Sequence, residues 1–368
     1  MPTVDSSFWE LKLQYAMTYR TNGKPVILAL VFAATAACGS RATNAAATSR
    51  SGAPAQPSTG PAAAAVNVDA SPPGVRTASS AGDIARPGTR LVANHLGRIP
   101  ILEYHVIGGT KNALYTRTAE SFRKDLEDVY ARGYRPITVS QMLDKDFRDV
   151  PAGMSPVIFV FDDASAEQFS YIDNNGKLEI DPTSGVGIWL DFQKAHPDWK
   201  NRATFCMLNG GAAGHNFFGD GPKFRGQHKQ WRFQKVKWLA DNGFELCGHT
   251  LWHAMLNKYS DEVVQEQIAR NIMGIDSAVA GYRVRTFALP YGIWPKNRSL
   301  AWQGTWTDKR GQAHSYHFEG VLEVSGGPAR SPFDPQFNPH SITRIEAIGD
   351  DIRHQLDKLD ATKTRFVW

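Results

Sequence analysis

The stretch Ser155-Pro-Val-Ile-Phe-Val-Phe-Asp-Asp-Ala-Ser165 constrains the fold of this chain more than any other. Residues 157–161 are apolar and rich in β-branched side chains, and Asp162 and Asp163 follow them directly. A short continuous apolar run of this kind predicts a strand buried on both faces. Two carboxylates at its carboxyl end stand where parallel barrels and sheets place their chemistry, and burying them is costly unless something uses them. Read alone, the pair also suits a turn or a helix N-cap. A second segment tips the balance. Phe244-Glu-Leu-Cys-Gly248 is another strand-like run, and it leads into His249-Thr-Leu-Trp-His253. Histidines at i and i+4 are expected to share one face of a helical turn, the spacing a single metal ion needs. Asp163, His249 and His253 would then make a three-ligand zinc site with a position open to water, leaving Asp162 free to act as a base.

The chain has 368 residues, 42% of them hydrophobic, enough for one large domain or two small ones. Residues 1–37 read as a signal region. Pro25 to Ala37 is an apolar run too short to span a bilayer, Arg20 and Lys24 precede it, and Cys38 follows. Ala36-Ala37-Cys38 has the form of a lipoprotein cleavage site, with Thr35 where an aliphatic residue is usual, and Met17 would make a more ordinary start than Met1. The expectation is an exported protein attached to a membrane through a lipidated Cys38; an uncleaved membrane anchor is the alternative. Residues 38–92 are mostly Ala, Ser, Thr, Pro and Gly and predict a disordered linker, because they cannot bury enough surface to offset the entropy of ordering. Of the net charge of +5, the folding region 93–368 keeps only +1, so the basic charge belongs largely to the tail and no nucleic-acid surface is indicated. Cys206 and Cys247 fall in separate predicted strands and are expected to be buried thiols rather than a bridge.

Within 93–368, strands and helices alternate. Strands are expected at 99–107, 136–139, 202–208, 244–247, 284–289, 321–324 and 342–345, besides the Asp162-Asp163 strand; helices are expected at 118–132, 186–196, 235–241, 260–279 and 350–359. A Gly-rich loop spans 210–230, long enough to form a rim of the site. The alternation predicts an α/β fold, a parallel (β/α) barrel.

The order of Phe161-Asp-Asp163, His249-Thr-x-x-His253 and Pro290-Tyr-Gly292, with the opening Ile99-Pro-Ile-Leu-Glu-Tyr-His105, resembles the polysaccharide deacetylases, carbohydrate esterase family four. The resemblance covers roughly residues 98–350. It implies a distorted (β/α) barrel and a metal-dependent hydrolase that removes acetyl groups from amino sugars. It also implies roles: Asp162 as general base, Asp163, His249 and His253 as ligands of zinc or another divalent transition metal, and the Tyr291 N–H as oxyanion donor on a turn fixed by Pro290. The chain departs from the family at three places. Val160 stands where Thr is usual, and Ala288 stands where many members have an Arg that holds the catalytic Asp. Arg285, three residues earlier in its strand, faces the other way, and Arg344 is a candidate from another strand. The late Leu-x-His that supplies the general acid has no clean match; His340 is the nearest candidate, with His317 and His105 as further ones.

Trp252 is a candidate sugar-stacking residue or a packing residue, Ser165 a candidate partner of a ligand carboxylate or a helix start, and Phe217 and Phe218 either meet substrate or pin the loop. No Gly-x-Ser-x-Gly elbow occurs, which disfavours a serine hydrolase. The expected partner is an acetylated glycan, met by a monomeric enzyme. The alternatives are an amidase or O-acetyl esterase on another acylated substrate, and a non-catalytic glycan-binding module of the cell envelope.

Overall fold

The computed structural model describes residues 91–212 and 214–368, together with two short antiparallel strands, Tyr19–Thr21 and Lys24–Val26. Contacts divide the chain into two units, Met1–Thr77 and Ala78–Trp368. Residues 27–37 of the signal segment's apolar run, Cys38 and all of the linker but its last two residues lie outside the described residues. Among the described residues, no helix is long and apolar enough to cross a membrane.

In the second unit the apolar runs become a closed parallel barrel. Its strands are β1 (Ile101–Tyr104), β2 (Ser155–Asp162), β3 (Thr204–Met207), β4 (Glu245–Gly248), β5 (Thr286–Ala288), β6 (Gly320–Gly326) and β7 (Ile342–Glu346). Each pairs with the next in sequence, and the ring closes where β7 pairs β1, with Glu346 opposite Glu103. Tyr134–Pro136 adds a further strand alongside β2, outside the ring.

Side-chain alternation separates two cores. Ile101, Ile158, Val160, Cys206, Cys247, Ala288, Leu322 and Ile342 point inward and pack together. Leu102, Tyr104, Phe159, Phe161, Phe205, Leu246, Phe287 and Val321 point outward into the layer beneath the helices. All eight residues of β2 are buried, as a strand covered on both faces must be.

The helices start where their capping residues stand. Thr118 accepts the Ser121 N–H at the start of α1 (Ala119–Ala131), and Thr138 forms a reciprocal capping box with Gln141 on α2 (Val139–Leu143). Then come α3 (Gly185–Ala195) and α4 (Arg232–Asp241). Ser260 accepts the Val263 N–H to open α5 (Asp261–Ala278), with Asp261 and Glu262 in its first turn, and α6 (Asp351–Thr362) closes the chain. Two antiparallel hairpins interrupt the alternation, at 171–180 and 303–317.

One expectation is corrected at this level. Cys206 and Cys247 form a disulfide. They are in-register neighbours on adjacent strands β3 and β4, both pointing into the barrel, with Cα atoms 4.2 Å apart. Separate strands did not mean separated thiols.

Candidate active site

The carboxyl ends of β1, β2, β4 and β5 deliver His105, Asp162 with Asp163, His249 and Pro290-Tyr291 to one end of the barrel. Asp163 Oδ1 lies 3.2 Å from His249 Nε2 and 3.5 Å from His253 Nε2. One ligand atom from each residue falls within 4.8 Å of the others. The two histidines do not share a helical turn, as their spacing suggested. The segment is irregular, with Thr250 and His253 at φ +69° and +64°. Thr250 Oγ1 accepts the N–H groups of His253 and Ala254, and this local turn swings the second imidazole back beside the first.

Hydrogen bonding fixes how His249 presents itself. Its Nδ1 is 2.9 Å from the Ala288 carbonyl, which can only accept, so Nδ1 carries the proton and Nε2 turns to Asp163. Its backbone N–H donates to Asn271 on α5, which in turn donates to Met207 O and Asn209 Oδ1. Both Asp163 Oδ1 and His249 Nε2 are buried without a hydrogen-bond partner. Two facing lone pairs favour a positive charge between them. Ligand atoms held about 2.1 Å from one tetrahedral ion lie about 3.4 Å from each other, so the donor set fits a zinc-like ion. Burial works against charge on all three groups. At Asp163 it is outweighed by the histidines, which hold the carboxyl well below its usual range. At His253 it prevails, with His249 adding to it, and the imidazole falls to about 4.

Asp162 has a different partner. The Arg344 guanidinium donates from Nη1 and Nη2 to its two oxygens, each at 2.9 Å, inside the barrel. Burial would raise the Asp162 pKa, but Arg344 first, and His249 next, hold it below the ordinary value. Arg344 reaches in from β7 and is itself fixed by Nε donating to the Glu323 carbonyl. Ala288, where the resemblance suggests an Arg, contributes its backbone carbonyl to His249 instead. Arg285 is engaged elsewhere, with Asp144 and Glu319.

Glu103 is the residue sequence reading passed over. It points inward from β1, 3.2 Å from Arg344 Nη2 and 3.5 Å from His105 Nε2. Burial pushes its pKa well up, against the opposing pull of Arg344. Glu103, His105 and Asp162 bring ligand-type atoms within 4.8 Å of one another. Burial also lowers the pKa of His105. Gln168 ties these strand ends together, its Nε2 donating to the carbonyls of both His105 and Asp162.

His340 is not in this cluster. It precedes β7 by two residues, at the opposite end of the barrel, where its ring stacks on Trp302 with centroids 4.6 Å apart. His317 lies on the exposed hairpin 303–317. Of the three candidate acids, His105 alone stands beside Asp162. The signal was available: His105 ends its strand, as Asp162 does, whereas His340 begins one.

Pro290 is buried and Tyr291 adopts φ +57° in the turn after β5. The turn's own hydrogen bonds use the N–H groups of Gly292 and Ile293, not that of Tyr291. The Tyr291 ring lies 4.1 Å from that of His253 and is half exposed, and Trp252, which precedes His253 in sequence, is exposed rather than packed in the core. Phe217 and Phe218 are buried, which makes them anchors of the Gly-rich loop. Ser165 is buried in a turn and starts no helix.

The paired acids and the histidines thus gather at one end of a parallel barrel. Residues 198–303 match the family model of the polysaccharide deacetylases. That stretch holds the His249-Thr-x-x-His253 and Pro290-Tyr-Gly292 segments, and the Phe161-Asp-Asp163 strand end lies ahead of it. Among solved structures, a Streptococcus pyogenes deacetylase, PplD, in complex with acetate is 16% identical, with a TM-score of 0.49 over 71% of this chain and 98% of that one. IcaB from Ammonifex degensii is 17% identical, with a TM-score of 0.47 over 71% and 96%. A Bacillus anthracis family-four pseudoenzyme, BA3943, is 11% identical, with a TM-score of 0.27 over 76% and 64%. No curated protein matches the chain.

Proposed function

We propose that this protein is an exported, metal-dependent hydrolase that removes N-acetyl groups from an amino-sugar polysaccharide of the peptidoglycan or chitin-like class. The convergence of Asp163 Oδ1, His249 Nε2 and His253 Nε2 beside a guanidinium-locked Asp162 carries the reading. Asp163, His249 and His253 would hold zinc, or another divalent transition metal, which supplies polarisation of the acetyl carbonyl and acidification of water.

The remaining roles belong to the chain's own atoms. Asp162, kept ionised by Arg344, takes a proton from the attacking water. The Tyr291 N–H, left over by its turn, donates to the oxygen that gains charge. His105 supplies the proton that the departing amine needs, with Glu103 at 3.5 Å to orient its ring. Pro290 fixes the turn, and the exposed rings of Tyr291 and Trp252 offer a surface on which a sugar can stack. Residues 1–37 act as the export signal, Cys38 as the lipid attachment point, and 38–92 as a tether that lets domain 93–368 reach glycan as a monomer.

Acetate release by the full-length protein tests the substrate class, with N-acetylglucosamine oligomers, peptidoglycan and O-acetyl esters offered in parallel. The reading predicts release from the N-acetylated glycans. Release from the esters alone would replace it with the esterase reading.

A further inference from the structure

We propose that Lys235 is a positioning residue for the metal ligand Asp163, acting through the backbone of Phe218. The inference rests on the reading of Asp163 as a ligand. Asp163 and Ala164 both adopt left-handed backbone, at φ +76° and +54°, and so do Phe217 and Phe218, at +47° and +67°. Non-glycine residues in this region cost on the order of 1 kcal/mol each and persist only where the surroundings hold them. These two turns hold one another. The Phe218 N–H donates to the Ala164 carbonyl at 2.9 Å, and the Phe217 N–H donates to Leu208 O at the end of β3. The carbonyl of the same residue, in the following peptide group, accepts from Lys235 Nζ at 2.6 Å. A continuous line of hydrogen bonds therefore runs from α4 to the turn that aims Asp163.

Lys235 is fully buried, and among the described residues no carboxylate pairs with it. An ammonium in that position is costly, and a Met or Leu would fill the same space without the penalty. What the lysine adds is a donor to one carbonyl. Burial brings its pKa down to about 7, and Nζ can donate in either protonation state. The same loop brings His215 Nδ1 to 3.9 Å from Asp163 Oδ2, the oxygen turned away from the two ligand histidines. The loop thus supports the ligand turn from the backbone side and the side-chain side together.

The test is the zinc affinity of the full-length protein, measured by chelator competition. Lys235→Met is expected to weaken zinc binding tenfold or more. Leu239→Ala, a buried change on the same helix, should destabilise the fold and leave the affinity unchanged. Wild-type affinity in Lys235→Met would overturn the inference. Should that variant not fold, amide exchange on the wild type decides: zinc should slow exchange of the Phe218 N–H relative to amides of α4, and an unchanged Phe218 would overturn the proposal. A wild type that binds no zinc would instead overturn the ligand reading itself.

Discussion

Arg344 grips Asp162 through two parallel hydrogen bonds of 2.9 Å from a strand that enters the sequence 182 residues later. This fork–fork pairing inside the barrel favours the ionised form of Asp162, the proposed base, against the opposing effect of burial. Removing the guanidinium raises the Asp162 pKa, so less of the base is available as pH falls. Arg344→Gln is expected to move the acidic limb of the pH–rate profile to higher pH and to cost about 3–5 kcal/mol of stability, since it leaves a buried carboxylate unpaired. A pH–rate profile and denaturant unfolding of the variant check both parts.

The placement of His105 and His340 at opposite ends of the barrel separates the candidate acids. His105→Ala is expected to lower kcat by about a hundredfold or more, the usual scale for loss of a proton donor. His340→Ala should stay within about twofold of wild type, because its ring only stacks on Trp302 at the far end. Steady-state kinetics on one substrate compare the two.

The Cys206–Cys247 bridge closes a 41-residue separation. Chain-entropy reasoning gives such a loop about 4 kcal/mol. The double change Cys206→Ala with Cys247→Ala should lower unfolding stability by up to about that amount. Denaturant midpoints measured under non-reducing conditions provide the comparison.

Lys235 sets a pH dependence of the same sign as a paired carboxylate, in a higher pH window. Its folded-state value of about 7 lies below the ordinary lysine value, so the unfolded chain binds more protons between the two. Stability should therefore rise with pH from about 7 towards about 10, and the penalty should be fully present below 7. Lys235→Met is expected to flatten that rise. The difference between wild-type and variant unfolding free energies across the range is the quantity to measure.

How much of this was legible in the sequence follows from the range of each interaction. Asp162, Asp163, His249, His253, Pro290 and Tyr291 sit in short motifs at strand ends, and a strand end can be read from a local apolar run. The helical turn expected for the histidine pair failed because Thr250 and His253 take left-handed backbone, which spacing alone does not reveal. Arg344 was legible only as a candidate, and Glu103 not at all, for a different reason. Their roles depend on β7 closing against β1, which only the finished barrel establishes. The disulfide needed the register of β3 against β4, equally invisible in one strand's pattern.

The most direct test of the central claim pairs metal content with acetate release in three full-length proteins: wild type, Asp162→Asn and His249→Ala. The account predicts one bound metal ion and acetate release for wild type, metal without release for Asp162→Asn, and loss of both for His249→Ala. A His249→Ala protein that keeps its metal and its activity, or a wild type that binds none, would contradict it.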